Sequence, residues 1–203
     1  MYFPWPSHEE IVETAHLAHR QLKQDAGAFP QTGITSYEVP TFWGEFVLSA
    51  SAFGAAFLFL PGADDFDISA RLDYYGIALS NTGRKMAVEV GLELMGYALG
   101  EIRVFETPVD LSYLSRFQQD VLLTCRQIPF GETVTYNELS VMAGHPGKAG
   151  GCATVLRHNP LPILIPCHRV LPSSRSLGRY CGHVTWKHHL LAHEGIDKPL
   201  LLA

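Results

Sequence analysis

One cysteine in this 203-residue chain has neighbours that favour chemistry. Cys167 is followed directly by His168 and Arg169. The thiolate is the nucleophilic form of cysteine, and an imidazole or a cation beside the sulfur stabilises that form. The Cys-His-Arg sequence therefore indicates a candidate nucleophile. The alternative is a buried structural cysteine followed by a surface histidine and arginine, because free cysteines are often core residues.

A short apolar segment leads into this cysteine. Residues 161–165 are too few for a helix and are flanked by Pro160 and Pro166, so the sequence predicts a short, buried, extended segment. Pro166 lacks an N–H and fixes its own φ, so regular strand pairing must stop beside Cys167. We expect the side chain of Cys167 to face a pocket.

The composition is that of an ordinary globular protein, with 47% apolar and 17% charged residues. The length allows one large or two small domains, each with its own core. Four cysteines without a Cys-x-x-Cys pair, and the lack of a signal-peptide pattern, argue against a disulfide framework or a zinc ribbon. We therefore expect an intracellular protein, cytoplasmic in a prokaryote or nuclear in a eukaryote. The longest apolar run, residues 55–60, is too short to span a bilayer.

Charge is divided unevenly along the chain. Residues 1–108 hold 14 acidic and 6 basic side chains, whereas residues 109–203 hold 6 acidic and 9 basic ones. The net charge of −5 therefore combines an acidic first half with a slightly basic second half. If the chain binds a polyanion, we expect the second half to bind it.

The first half predicts an α/β domain in which no chemistry is recognisable. Its predicted elements are a helix over residues 7–25, an antiparallel hairpin of residues 45–50 and 55–60, a helix over 82–99 and a short strand over 102–105. His16 and His19 are spaced like a metal-binding pair, but no cysteine or acidic cluster completes a site. We therefore expect no metal, and we place the domain boundary near residues 108–112.

The second half predicts three helices. Apolar residues at helical spacing indicate the first, over residues 112–127. Thr135 and Glu138 form a capping box that opens the second, over residues 135–143. A Gly-His-Pro-Gly break separates it from the third, over residues 148–158. This layout is typical of a helix-turn-helix, although helical hairpins without any DNA are also common.

Several short motifs, in their order and spacing, resemble the O6-alkylguanine-DNA alkyltransferase family. The most specific is Pro-Cys-His-Arg-Val at residues 166–170. The others are Ile-Pro-Phe-Gly-Glu-Thr at residues 128–133, Thr135-Tyr136, Asn159-Pro160, Gly178, Tyr180 and Leu-Leu-Ala-His-Glu-Gly at residues 190–195. The resemblance covers residues 109–196, and the first half resembles the family only as a plausible companion domain.

The resemblance implies an α/β fold with two domains. These are a ribonuclease-H-like α/β domain over residues 1–108, and a mainly helical DNA-binding domain over residues 109–203 that contains the helix-turn-helix and the active site. The implied activity is DNA repair by direct reversal, in which an alkyl group passes irreversibly from guanine O6 to the cysteine in a single turnover. The implied partner is double-stranded DNA, bound in the minor groove with the damaged base flipped out. We expect a monomer with no cofactor and no membrane partner.

Five residues take catalytic roles by resemblance. Cys167 accepts the alkyl group, His168 takes its proton through a water, and Glu194 orients His168. Tyr136 donates a proton to the departing guanine, and Asn159 ties the recognition helix to the active-site segment. The chemistry agrees, because breaking an alkyl–oxygen bond needs a soft, strong nucleophile, and a Cys-His-Glu set follows the logic of catalytic triads. Singly, Tyr136 could instead be a first helical residue, Asn159 a C-cap and Glu194 a surface charge.

A second set of residues is predicted to contact the substrate or the DNA. The resemblance implies that the carbonyls of Cys167 and Val170 and the N–H of Cys181 frame the base. Arg157 ends the third helix, where a cation complements the helix dipole and can reach a phosphate. Arg169 and Gly150 complete the predicted set.

The chain departs from the family's pattern at three positions. Gly150 stands where the family usually has an arginine that enters the space left by the flipped base. Cys181 stands in place of a small residue, and His183 in place of a glycine. Two other functions therefore remain open: a non-catalytic, alkyltransferase-like lesion-binding protein, against which Cys167 argues, and a cysteine hydrolase that uses Cys167 and His168. The sequence favours the hydrolase least, because adjacent residues rarely present both side chains to one substrate.

Overall fold

A computed structural model describes residues 36–41, 43–50, 54–61, 83–174, 177 and 184–196. Several sequence predictions fall outside these residues, namely the helix over residues 7–25 with His16 and His19, and the positions Gly178, Tyr180, Cys181 and His183. The chain divides into two compact units, residues 1–110 and residues 111–203.

The first unit contains a three-stranded antiparallel sheet in the order β1-β2-β3. Its strands are β1 (Ser36–Thr41), β2 (Gly44–Ala50) and β3 (Ala55–Phe59). The predicted hairpin is confirmed as β2 and β3. Strand β1, which contains Pro40, was not predicted. Among the described residues β1 pairs with β2 alone, and a strand with one neighbour tolerates a proline.

Helix α1 (Gly83–Ala98) packs against β1 and β2 and confirms the predicted helix over residues 82–99. Its Tyr97 is fully buried and lies 5.9 Å from Trp43 and 5.4 Å from Phe105, measured between ring centroids. The core of this unit therefore consists of aromatic and aliphatic side chains from the sheet and from one face of α1.

The predicted strand over residues 102–105 is wrong, since this stretch forms bends. Val104 is 67% exposed, so its apolar character did not reflect burial. The chain is instead held from the side: the carboxylate of Glu93 accepts the backbone N–H groups of Glu106 and Thr107 at 2.7 and 3.1 Å. The N–H of Ile102 donates to the carbonyl of Gly96 at 3.2 Å, so the bonds of this region are a helix-end bond before it and side-chain bonds after it.

The second unit is mainly helical. Its elements are α2 (Arg116–Arg126), β4 (Val134–Thr135), α3 (Tyr136–Met142), α4 (Ala149–Arg157), a 3-10 turn (Cys167–Arg169), β5 (Val170–Leu171) and α5 (Val184–His193). The short strands β4 and β5 pair in parallel, with Val134 opposite Val170. This pairing brings the segment that follows Cys167 next to the start of α3.

The helix starts show how local caps decide boundaries. The predicted start of α2 at residue 112 is wrong, because Ser115 and Gln118 form a capping box that begins the helix at Arg116. The predicted box of Thr135 and Glu138 is confirmed at the start of α3. Helix α4 is confirmed within two residues, yet its N-cap residue, Lys148, makes no side-chain capping bond.

Packing against α2, rather than a side-chain cap, positions helix α4. A Cβ added at Gly151 would lie 3.0 Å from the ring of Phe117, so any other residue here would require that ring to shift by a few tenths of an ångström. The same ring packs edge-on against His145 in the preceding turn, with centroids 4.9 Å apart. The Nε2 atom of His145 lies 3.2 Å from a carboxylate oxygen of Asp120 in α2.

Residues 161–165 are buried, as predicted, but they are not extended. The N–H of Ile165 donates to the carbonyl of Leu161 at 2.8 Å, which closes a tight turn. Ile163 inside this turn has a φ of 74°. The prediction of an extended segment was wrong because an apolar run between prolines reports burial and chain interruption, but not the sign of φ.

Candidate active site

Cys167 begins the 3-10 turn directly after Pro166 and is 3% exposed. Its N–H donates to the carbonyl of Ile165 at 2.7 Å, and its carbonyl accepts the N–H of Val170. The sulfur accepts a hydrogen bond from the side-chain amide of Asn159, with Nδ2 and Sγ 3.0 Å apart. A donor aimed at the sulfur stabilises the thiolate relative to the thiol.

Asn159 connects the end of α4 to the turn that carries Cys167. Its Nδ2 also donates to the carbonyl of Ile165 at 2.8 Å, and its Oδ1 accepts the N–H of Leu161 at 3.0 Å. His158, rather than Asn159, is the C-cap residue of α4. The amide of Asn159 is therefore used to fix the segment before the cysteine and the sulfur itself.

His168 and Arg169 converge on one carboxylate, that of Glu194, which directly follows α5. Nε2 of His168 lies 2.8 Å from Oε1 of Glu194. Arg169 donates from Nε to Oε2 at 2.9 Å and from Nη2 to Oε1 at 2.8 Å. The side chains of His168 and Glu194 are 0% exposed and that of Arg169 is 5% exposed. These three groups form a buried, hydrogen-bonded ionic cluster.

The electrostatics of this cluster fix its protonation states. Burial alone would raise the pKa of Glu194, but the hydrogen bonds and charges of His168 and Arg169 outweigh it and hold that pKa well below its usual range. Burial lowers the pKa of His168, and the charges of Arg169 and Lys187 add to this against the opposing effect of Glu194. Near neutral pH, Glu194 is therefore ionised and His168 is neutral.

These states assign the tautomer of His168. An ionised carboxylate only accepts hydrogen bonds, so Nε2 of His168 must carry the proton that it shares with Glu194. In a neutral imidazole, the lone pair then lies on Nδ1. His168 can consequently accept a proton at Nδ1 while Glu194 stabilises the resulting imidazolium, which are the requirements for a general base.

The placement of these residues overturns two alternatives from the sequence. His168 and Arg169 are not a surface pair, and Glu194 is not a surface helix charge, because all three are buried. The same placement argues against the predicted contact between Arg169 and DNA. Its guanidinium is bound to Glu194 and, through Nη1, to the carbonyl of Ile128, so it is not presented to a phosphate.

Lys187 was not among the predicted site residues, yet its side chain is fully buried beside the site. Its Nζ donates to the carbonyl of Val170 at 2.8 Å. A signal was available, since Lys187 stands three and four residues before Leu190 and Leu191, both buried, and seven before Glu194. At helical spacing these residues share one face, so Lys187 belongs to the buried face of α5.

Gly131 is a second residue that was given no role. Its N–H donates to Oε2 of Glu194 at 3.2 Å. Its φ is 78°, a conformation that favours glycine, and an added Cβ would lie 3.3 Å from the backbone oxygen of Glu194. The Pro-Phe-Gly turn was recognised in the sequence as a motif, and the structure gives a physical reason for its glycine.

The other described cysteines differ from Cys167. Cys125 and Cys152 are free and fully buried. Burial, and then the neighbouring Cys167, raise the pKa of the Cys125 thiol well above its usual range. Burial also raises the pKa of the Cys152 thiol. Both side chains are therefore kept as thiols, the unreactive form.

The remaining predicted residues lie outside the cluster. Tyr136 is the first residue of α3, directly after β4, so the strand pairing brings its backbone close to Val170 and Leu171. Gly150 and Arg157 are exposed near the two ends of α4. Among the described residues, no group of three or more His, Cys, Asp or Glu side chains is arranged to hold a metal ion.

Comparison with known proteins identifies the second unit. Residues 116–196 match the sequence profile described as 6-O-methylguanine DNA methyltransferase, DNA binding domain. Most of the second unit is therefore similar to this DNA-binding domain. The match includes Cys167, His168, Arg169 and Glu194, so the buried cluster lies inside the family's domain.

Two relatives match the chain over about half of its length. The methylated-DNA--protein-cysteine methyltransferase of Homo sapiens is 41% identical over 102 residues, which cover 46% of this chain and 49% of the human protein. That of Mycolicibacterium paratuberculosis is 38% identical over 110 residues, which cover 54% of this chain and 66% of the relative. The matches thus span only part of these relatives, 49% of the first and 66% of the second.

Solved structures of the family match more of the chain. The crystal structure of Mycobacterium tuberculosis O6-methylguanine methyltransferase has a TM-score of 0.67 and 26% identity, and the match covers 82% of this chain and 96% of that one. The structure of Mycobacterium tuberculosis OGT in complex with DNA has a TM-score of 0.59 and 27% identity, covering 78% and 90%. The mixed α/β fold of the chain is therefore similar to that of these methyltransferases. No helix among the described residues has the length and apolarity needed to cross a bilayer.

Proposed function

We propose that this protein repairs DNA by direct reversal, transferring the alkyl group of O6-alkylguanine irreversibly to the sulfur of Cys167 once per molecule. One observation carries the proposal. Within a domain of this family, the buried sulfur of Cys167 accepts a bond from Asn159 and is followed directly by a His168 whose Nε2 is held by Glu194.

The reaction divides into proton transfer and displacement. Nδ1 of His168 takes the proton of the Cys167 thiol, through a water as the resemblance implies, while Glu194 stabilises the imidazolium. The thiolate then attacks the alkyl carbon, a carbon–sulfur bond forms and the bond from that carbon to O6 breaks. The electron pair leaves on the guanine, which takes up a proton. The product cysteine is a neutral thioether, and no group in the cluster can reverse the step.

Tyr136, Val170 and Cys181 are proposed to hold the guanine. By resemblance, Tyr136 donates the proton that the departing guanine needs, and the carbonyls of Cys167 and Val170 with the N–H of Cys181 frame the base. The pairing of β4 with β5 supports the nearness of Tyr136 to Val170. The buried ammonium of Lys187 on the carbonyl of Val170 supports a fixed position for that carbonyl.

DNA is the proposed partner of the second unit. Helices α3 and α4, with the turn between them, are proposed to form a helix-turn-helix whose second helix enters the minor groove, with Arg157 on a phosphate. The exposed small residues Gly150 and Thr154 support such a close approach. Because O6 lies inside a duplex, the base must be extruded to reach the buried Cys167. We expect the protein to act as a monomer.

The first unit is proposed to be a ribonuclease-H-like companion domain over residues 1–108, with the alkyltransferase domain over residues 109–203. The antiparallel order β1-β2-β3 followed by a helix that packs on the sheet supports this fold. An intracellular location, where DNA and reduced thiols occur together, belongs to the same proposal.

The decisive experiment is mass spectrometry of the intact protein after incubation with an oligonucleotide that contains O6-methylguanine. We expect one added methyl group per chain, located on Cys167, and none in Cys167→Ala. Cys125→Ala, which removes another buried thiol, should still gain one methyl group. A wild-type protein that binds the lesion without a mass change would instead identify a non-catalytic lesion-binding protein, and repeated turnover would indicate a hydrolase.

A further inference from the structure

The exposed face of α4 carries unusually little side chain. The first two turns of the helix read Ala149, Gly150, Gly151, Cys152, Ala153 and Thr154, and none of these is larger than threonine or cysteine. Cys152 is fully buried, whereas Gly150 and Thr154 are exposed. A Cβ built at Gly150 would meet no atom within 4 Å, so a larger side chain would fit there without moving its neighbours.

This face matters if the proposed function holds. An enzyme that acts on a base must take it out of the stack, which costs a few kcal/mol of unstacking and unpairing in a normal duplex. DNA-bending and base-extruding proteins offset part of such a cost by inserting a side chain between the bases. Helix α4 is the element joined to the nucleophile, because Asn159 at its end donates to the sulfur of Cys167. A wedge beside the extruded base would therefore come most directly from α4.

The longer side chains near α4 are poorly placed to replace a wedge at its start. Lys148 precedes Gly150 by two residues, which is a rotation of roughly 200° around the helix axis and hence the opposite face. Arg157 shares the face of Gly150 but lies seven residues further on, about 10 Å along the axis. The N-terminal half of the exposed face thus has no group that can enter the base stack.

We propose that the substrate of this protein is O6-alkylguanine that is already unpaired or mispaired, rather than a lesion stacked in a stable duplex. A lesion in a single strand or in a mismatch has lost part of its pairing and stacking, so its extrusion costs less. The glycine at position 150 then determines substrate choice. It leaves the chemistry at Cys167 unchanged but supplies nothing to offset the cost of opening a duplex.

The test compares second-order rate constants of methyl transfer to Cys167 for three substrates. These are O6-methylguanine in a duplex opposite cytosine, the same oligonucleotide as a single strand, and the free base. We expect wild type to react with the single strand about tenfold faster than with the duplex, equivalent to about 1.4 kcal/mol. Gly150→Arg should raise the ratio of duplex to free-base rate about tenfold, because it supplies the missing wedge.

Two variants separate the wedge from its side effects. Gly150→Ala stabilises the helix without adding a wedge, so any gain in the ratio that it gives is subtracted from that of Gly150→Arg. Val141→Arg adds the same charge at an exposed position of α3, the other helix of the proposed helix-turn-helix, so any gain in the ratio that it gives measures the attraction of charge to DNA alone. Equal gains of the ratio in Gly150→Arg and Val141→Arg would show that the added charge alone causes the gain, and would overturn the proposal.

Wild-type rates distinguish the inference from the function on which it rests. Transfer to Cys167 from all three substrates, with the duplex as fast as the single strand, keeps the proposed function and overturns the inference about substrate class. If the wild-type duplex reaction is fast and Arg157→Ala slows it relative to the single-strand reaction, Arg157 is the wedge and the inference is again wrong. No transfer from any substrate would remove the proposed function itself.

Discussion

The two units bury different kinds of side chain. In the described part of the first unit, the largest fully buried side chains are aromatic or aliphatic, such as Phe46, Phe57 and Tyr97. The second unit has an apolar core as well, but it also buries the ionisable side chains of His168, Arg169, Lys187 and Glu194.

Under the proposed function, this difference separates residues that serve stability from residues that serve chemistry. Apolar burial contributes about 25 cal/mol per Å² and needs no partner. A buried ion pair loses its hydration, and well-packed apolar residues in its place are often neutral or stabilising. The cluster around Glu194 is therefore poorly explained as a stabilising device, whereas the proposed role of His168 as a general base with a fixed tautomer requires it.

Removing Glu194 should have the largest effect. In Glu194→Ala the guanidinium of Arg169 remains buried without its carboxylate, which we expect to cost about 3–5 kcal/mol of unfolding free energy. Phe57→Ala in the first unit should cost a similar amount, about 3–5 kcal/mol, through the cavity that it leaves. Urea denaturation measures both losses.

The two variants should differ in activity. At a temperature where both are folded, Phe57→Ala should retain the rate constant of methyl transfer, whereas Glu194→Ala should lose most of it because His168 is no longer oriented. If Glu194→Ala transferred the methyl group as fast as Phe57→Ala, the buried charges would be structural and the comparison between the units would fail.

Asn159→Ala should have the next largest effect. It removes the acceptor of the N–H of Leu161 and one of the two donors to the carbonyl of Ile165, which keeps the N–H of Cys167, at a cost of about 1–3 kcal/mol. It also frees the Cys167 sulfur, and a misplacement of about 1 Å can slow a reaction about 100-fold. Because the defect lies at the sulfur, the rates with free base and with single-stranded DNA should fall together. A loss seen with DNA alone would assign Asn159 to DNA binding.

Acid should weaken the second unit through His168. Its pKa is lowered on folding, so between that value and the ordinary one of about 6.5 the unfolded chain binds more protons than the folded chain. The unfolding free energy should therefore fall as the pH falls below about 6.5, and Glu194 adds a further loss below about 4.3. The urea midpoint measured across this range tests the sign. His168→Gln should flatten the slope, and an equal slope in the variant would contradict the assignment.

Arg157→Ala should have the smallest effect. The side chain is exposed at the end of α4, so its loss should weaken binding to all DNA sequences alike and reduce the slope of log affinity against log salt by about one. Arg116, an exposed arginine at the start of α2, provides the matched control and should leave the slope unchanged. An unaltered slope in Arg157→Ala would leave that residue with a helix-capping role only.

The sequence predicted the elements that have strong local signals. The hairpin of β2 and β3, the helix α1 and the capping box of α3 follow from periodicity and cap chemistry. The motif around Cys167 and the position of Glu194 named the residues that the structure brings together in the cluster. These predictions rest on short-range patterns or on a specific motif.

The rest depended on contacts between distant residues. The bond of Lys187 to Val170 and that of Arg169 to Ile128 join residues 17 and 41 positions apart. The burial of Arg169 follows from its carboxylate partner 25 positions away, and nothing in the local sequence distinguishes it from a DNA-binding arginine. Likewise, the local sequence predicted a strand over residues 102–105. It contains no sign that the next residue pair is bonded by the side chain of Glu93, more than ten positions earlier.

The left-handed conformation of Ile163 limits which sequences can form the turn before Cys167. Ile163 is 1% exposed at a φ of 74°, so a β-branched side chain fills the core while its backbone is strained by about 1–3 kcal/mol. Glycine would relieve the strain but would remove a buried side chain, and truncating isoleucine costs about 2–5 kcal/mol. Filling the core outweighs relaxing the backbone. A combinatorial library at this position, selected for stability alone, should therefore return large aliphatic residues rather than the glycine or asparagine that a backbone-based design would choose.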